Sequence, residues 1–184
     1  MSSTIDELKM SAWRDNPAWG QLLGLCPLLA VTTSVTNATG LAIASFCVLV
    51  TSNVTISAIR RFAPDHVRLP AFMLVIGLCA TTVTLLMQAF AFELYERIAL
   101  YAQLTVANCV ILAHAERVAR RQAIHRALID SVTTGLGFAL ALLVLGATRE
   151  LVGLGLPLAA LPPGAFLIAG LLIALKNAPW RDDA

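Results

Sequence analysis

Apolar runs set between charged clusters divide the chain into six stretches of about the length needed to cross a bilayer: Trp19–Ala38, Leu41–Ile59, Pro70–Phe92, Ile98–Ala113, Leu128–Ala147 and Gly155–Leu175. The second and fifth predict continuous helices. The first is different, because Cys26-Pro27 is followed by Thr32, Thr33, Ser34, Thr36 and Asn37, a run that a straight lipid-facing helix would not carry. Proline removes a backbone donor and clashes one turn back. A break is therefore expected near Pro27, leaving polar backbone that must be buried in protein.

Composition moves this pattern from a buried core to a membrane. The 184 residues are 58% hydrophobic and only 13% charged, against about 25% charged in soluble domains, and mean hydropathy is +0.79. At roughly 20 apolar residues per crossing there is no room for a separate soluble domain, so residues 1–184 are read as one integral membrane domain. The first apolar stretch follows a mixed segment with Asp6, Glu7, Lys9, Arg14 and Asp15 and has no small-residue cleavage site, so it is expected to stay in the mature protein. A net charge of +2 gives no footing for nucleic-acid binding.

Charge distribution sets the expected topology. With the N-terminus inside, all of the 13 Lys and Arg residues except Arg97 and Arg149 fall on the cytoplasmic side, with both termini cytoplasmic after six crossings. Three spans precede Glu96 and three follow it. An odd number of helices per half inverts the second half relative to the first, so the fold class expected is an all-α polytopic membrane protein of two inverted three-helix repeats, about 17–96 and 97–176. The first and fourth helices are expected to be interrupted.

Four cysteines lie in the apolar segments, a placement unlike a secreted disulfide framework. Cys26 has Gly24 and Pro27 beside it, and Cys109 follows Asn108, so each sits next to a helix-disturbing residue in the first span of its half. Entering from opposite faces, the two can meet near the midplane. Thiolates are the usual ligands of iron–sulfur clusters, and a two-iron cluster generally takes four. Cys26 and Cys109 are half a site, to be completed either by Cys47 and Cys79 or by a matching pair from a related subunit, and the second reading is favoured. Cys47 and Cys79 stand in uninterrupted helical sequence and read as packing residues.

Other polar groups have plainer readings. His114 and His125 lie in or beside the basic stretch His114–Arg126, which cytoplasmic topology explains before metal, lipid or partner binding does. Gly20 and Gly24 form a small-xxx-small spacing that would admit a neighbouring helix. The hydroxyls from Thr32 to Asn37 would either satisfy freed backbone or line an ion path. Glu93, Asp130 and Glu150 fall near span ends, where carboxylates are usually interfacial.

Longer stretches carry a resemblance: Gln21-Leu-Leu-Gly-Leu-Cys-Pro-Leu-Leu-Ala-Val-Thr-Thr33, Thr36-Asn-Ala-Thr-Gly-Leu41, Asn108-Cys109, Ala115-Glu116, Arg149-Glu150-Leu151 and Leu161-Pro-Pro-Gly-Ala-Phe166. Over nearly its whole length the chain resembles the E-type family of Rnf (also called Rsx) electron-transport complexes, with the D-type components of sodium-pumping NADH:quinone reductases as near relatives. The resemblance implies a six-helix inverted-repeat subunit of the bacterial inner membrane that pairs with a homologous A-type subunit. The two would share a [2Fe-2S] cluster at the midplane, with Cys26 and Cys109 as this chain's ligands. The larger complex would be an ion-translocating ferredoxin:NAD oxidoreductase, with flavin on other subunits and none on this chain. Ala107 stands where the family often has threonine, and Ala113-His114 replaces a common glycine-arginine pair.

Two other classes fit parts of the pattern. Inverted halves and broken helices with polar residues at depth also suit an ion or solute transporter, which needs no iron. A structural subunit that only holds redox partners together would tolerate loss of its cysteines.

Overall fold

The computed structural model describes residues 18–59, 67–90, 92–93, 95–96, 105–106, 108–119, 124–153, 155 and 161–177. The regular structure among the described residues is all helical, with no strand. In chain order the helices are α1 (Leu25–Val31), α2 (Val35–Ile59), α3 (Arg68–Phe90), α4 (Cys109–His114), α5 (Ile124–Gly153) and α6 (Pro162–Asn177). The last turn of α4 widens into a π-helical segment, Ala115–Ala119. Part of the predicted fourth span, 98–104, and the basic residues Arg60, Arg61, Arg97, Arg120 and Arg121 lie outside the described residues, as do 1–17 and 178–184.

Among the described residues three helices, α2, α3 and α5, are long and apolar enough to cross a membrane. Their 25, 23 and 30 residues span roughly 35 to 45 Å at about 1.5 Å per residue, more than the ~30 Å hydrocarbon layer. Hydroxyl side chains are tolerated in them because they bond within their own helix. Thr51 Oγ1 donates to the Cys47 carbonyl at 2.7 Å, and Thr84 Oγ1 to that of Ala80 at 2.7 Å.

The first predicted span, Trp19–Ala38, divides in a way its sequence did not indicate. Pro27 is the third residue of α1, inside the turn whose N–H groups have no intrahelical acceptor, so it starts the helix instead of breaking it. The break falls later, at Thr32–Ser34. There Thr32 Oγ1 donates to the Leu28 carbonyl at 2.6 Å, and Ser34 Oγ accepts from the Thr36 N–H at 3.3 Å as the N-cap of α2. Consequently α2 begins at Val35, six residues before the predicted Leu41.

The centre of the molecule is the antiparallel pair α2 and α5. Their backbones approach closely at two glycines: a Cβ on Gly146 would lie 2.9 Å from Ala38 Cβ, and one on Gly135 would lie 2.7 Å from Phe46 Cδ2 and 3.2 Å from Leu49 Cδ2. One buried cluster joins Leu28 and Val31 of α1, Leu41 of α2, Val110 of α4, Leu142 and Leu145 of α5, and Ile168 of α6. A second joins Val48, Leu49 and Ile56 of α2 to Phe72 and Ile76 of α3 and to Ile111 and Ala115. Half of the most apolar window of α2 is buried against protein, compared with 17% for α3. The outward faces of α3 and α6 stay apolar, with Leu74, Leu78, Phe166, Leu167 and Leu171 exposed, as lipid contact requires and water would not permit.

Candidate functional site: two thiols at the starts of two short helices

The two cysteines singled out by their sequence surroundings each stand at the start of a short helix. Cys26 is the second residue of α1, and Cys109 is the first of α4. A single hydrogen bond ties these helix starts together: the Gly24 N–H donates to Cys109 Sγ at 3.0 Å. Cys109 is half-buried and Cys26 is exposed.

Local geometry explains why the residue at position 24 is glycine. Its φ of +74° belongs to the left-handed region that side chains disfavour, and an added Cβ would meet Phe138 Cε2 and Val110 Cγ2 at 2.7 Å each. Leu22, two residues earlier, is also left-handed at φ 55°, so the turn entering α1 is tightly coiled. Because Gly20 and Gly24 lie in this turn and not on one helix face, their spacing does not form a helix-packing motif. At α4, Asn108 Oδ1 accepts from the Val110 N–H at 3.1 Å, an N-cap that fixes where the helix begins and so where Cys109 projects.

A second device holds the other end of α1. Arg149, in the last turns of α5, is 3% exposed. Its Nη1 donates to the Leu29 carbonyl at 2.9 Å and to Thr32 Oγ1 at 3.0 Å. The next residue completes the bracket: Glu150 Oε2 accepts from the Val35 N–H, the first of α2, at 2.7 Å. Adjacent side chains of opposite charge thus satisfy the carbonyl end of α1 and the amide end of α2, the groups a break leaves without intrahelical partners. In sequence alone, Arg149 is a topology marker and Glu150 an interfacial carboxylate. The signal there is an arginine–glutamate pair closing an apolar span, which becomes meaningful only beside the Thr32–Ser34 break.

The remaining candidates scatter. Cys47 and Cys79 sit inside α2 and α3, half-buried. His125 is exposed at the start of α5, whereas His114 is buried. Arg117 Nη2 donates to Gln21 Oε1 at 2.8 Å, so part of the basic stretch braces the turn that leads into α1. Glu93 is exposed and Asp130 half-buried. Among the described residues no three His, Cys, Asp or Glu side chains come together as a metal site. Two thiols at neighbouring helix starts, that of Cys109 accepting from the Gly24 N–H and that of Cys26 exposed, are of the donor type that half of a two-iron ligand set needs.

Fold and site together define a helical integral membrane protein with a thiol at the start of each of two short helices. The chain belongs to the Rnf-Nqr family: the profile described as "Rnf-Nqr subunit, membrane protein" matches residues 4–173. It is 44% identical over 192 residues to a Shewanella sp. (strain W3-18-1) protein named as the E component of an ion-translocating oxidoreductase complex, covering 90% of this chain and 83% of that one. A protein of the same name from Pseudomonas paraeruginosa (strain DSM 24068 / PA7) is 45% identical over 192 residues, covering 90% and 80%. Another, from Shewanella loihica (strain ATCC BAA-1088 / PV-4), is 42% identical over 204 residues, covering 96% and 88%.

Proposed function

We propose that this chain is the membrane electron-transfer subunit of an ion-translocating oxidoreductase complex, contributing Cys26 and Cys109 to a [2Fe-2S] cluster shared with a homologous A-type subunit. The observation that carries this reading is the Gly24 N–H bond to Cys109 Sγ at 3.0 Å, which brings the starts of α1 and α4 together. The exposure of Cys26, with Cys109 half-buried, supports completion of the ligand set by a second subunit.

The two sulfurs would hold iron on one side, while the partner supplies the other two ligands. When bound, such a cluster accepts and returns one electron. The chain's own part is positional. Asn108 fixes the start of α4, Arg149 and Glu150 fix the span of α1, and the Gly24 N–H offsets charge on the Cys109 sulfur when it is ligated. The apolar residues of the surrounding cluster, Leu28, Val110 and Phe138, exclude water from the turn.

A short helix followed by two longer ones in each half, α1–α2–α3 and α4–α5–α6, the last of 16 residues, supports two repeats about 17–96 and 97–176. Inversion of the second repeat in the inner membrane, with both termini cytoplasmic, follows from the charge bias. Ferredoxin and nicotinamide chemistry, and flavin, belong in this reading to other subunits.

The test is spectroscopic. Purified with its partner subunits, the chain should show a two-iron EPR signal that is lost in Cys26→Ser and in Cys109→Ser and kept in Cys47→Ser and Cys79→Ser. A signal unchanged by Cys26→Ser removes the assignment. Solute or ion flux through the chain alone in liposomes, without an electron donor, would favour a transporter instead.

A further inference from the structure

Three successive residues of the turn before α1, Gly20, Gln21 and Leu22, are exposed, so burial of their side chains does not fix the backbone there. That backbone is nevertheless unusual. Leu22 is 53% exposed and stands at φ 55°, followed by Gly24 at φ 74°. Glycine takes the left-handed conformation freely, whereas leucine is strained in it because its Cβ crowds the following carbonyl oxygen. A strained residue persists only where its surroundings over-determine it. Leu22 has an anchor on each side.

Both anchors come from one rod, α4 with its π-helical extension. After Leu22, the Gly24 N–H donates to Sγ of Cys109, the first residue of α4, at 3.0 Å. Before it, Arg117 Nη2 donates to Gln21 Oε1 at 2.8 Å. The two bonds differ in kind. A thiol sulfur is a weak acceptor, whereas a guanidinium is a charged donor meeting a full amide oxygen. The anchor at Gln21 is the shorter one and the one with the stronger chemistry.

The π-helical segment Ala115–Ala119 explains how one rod reaches the turn twice. Arg117 follows Cys109 by eight residues, which in a regular α-helix would set it about 80° around the axis from Cys109. A π turn closes each ring over one more residue than an α turn. The widening at Ala115 therefore takes up part of that excess and turns Arg117 back toward the face of Cys109.

We propose that Arg117, acting through Gln21, is a positioning residue for the Cys26 thiol: it holds the left-handed turn closed so that α1 starts against Cys109. Gly24 is the N-cap of α1 and Cys26 its second residue, so the backbone path of the turn sets where that thiol stands. Without the guanidinium the turn keeps only its bond to a thiol sulfur, Leu22 relaxes to ordinary backbone, and Cys26 loses its fixed place relative to Cys109. The two sulfurs are thereby arranged before iron arrives, which lowers the cost of completing a ligand set. That last consequence rests on the cluster assignment proposed for this chain, whereas the positioning itself needs no iron.

Backbone hydrogen exchange of the isolated chain in lipid nanodiscs, read by mass spectrometry on the peptide covering residues 20–26, tests the positioning without metal. Arg117→Met should speed exchange there about tenfold or more, with peptides from α2 and α5 unchanged. Gln21→Met should match it, and the double variant should go no further, because both changes break one bond. Arg117→Lys, which keeps a cationic donor, should restore part of the protection. Exchange that Arg117→Met leaves unchanged, a rise shared by α2 and α5, or additive effects of the two changes would each overturn the proposal. In the purified complex, Arg117→Met should also shift the midpoint potential or the line shape of the two-iron EPR signal, with Arg117→Lys closer to the wild type. A wild-type signal that Arg117→Met alters in neither respect overturns the positioning role. A wild-type complex with no such signal defeats the cluster assignment instead, and the exchange result then decides the positioning by itself.

Discussion

Replacing Arg149 by methionine tests whether the bracket around the helix break carries weight. The change keeps a long, flexible side chain and deletes the guanidinium, so Nη1 no longer reaches the Leu29 carbonyl or Thr32 Oγ1, at 2.9 and 3.0 Å in the native chain. Hydrogen bonds from a charged donor are worth about 1.5–3 kcal/mol each. Against their loss stands the relief of no longer holding a cation that is only 3% exposed, a cost of several kcal/mol in principle that good pairing offsets. The net expected loss is about 2–3 kcal/mol, well above the roughly 0.5 kcal/mol of an ordinary surface change. Unfolding in mixed micelles, followed by circular dichroism, measures it. Combining the variant with Thr32→Val should reveal coupling of about 1 kcal/mol, because the two side chains share one contact. A loss below about 0.5 kcal/mol, or strict additivity of the pair, would refute the idea that Arg149 clamps the end of α1.

Three further outcomes are expected. Gly24→Ala forces a Cβ to 2.7 Å from Phe138 and Val110 at a φ of +74°, and should cost about 2–4 kcal/mol from strain and overpacking combined; thermal unfolding as high as that of the wild type would contradict it. Glu150→Ala removes the acceptor of the Val35 N–H and should cost about 1 kcal/mol, while Glu150→Gln, which keeps an acceptor, should cost less; the two are compared by the same micelle titration. A membrane-permeant maleimide should modify the exposed Cys26 faster than the half-buried Cys47 and Cys79 of the isolated chain, and assembly with partner subunits should slow it; equal rates, read by mass spectrometry, would count against an open half-site.

Much was decided before folding. Low charge and long apolar runs dictate helices in lipid, since no other open structure satisfies its backbone there, and the interiors of α2, α3 and α5 fall inside their predicted spans. That Cys26 and Cys109 stand at helix starts while Cys47 and Cys79 stand inside helices was also legible, because Gly24, Pro27 and Asn108 disturb a helix whatever surrounds them. Tertiary structure decided the rest. Proline marks a helix start as readily as a break, so the interruption moved to Thr32–Ser34 only once Arg149 and Glu150 arrived from α5 to satisfy both of its ends. The bond from Gly24 to Cys109 joins residues 85 positions apart. Local chemistry is written along the chain, whereas which distant group satisfies an orphaned donor or acceptor depends on packing that no local pattern encodes.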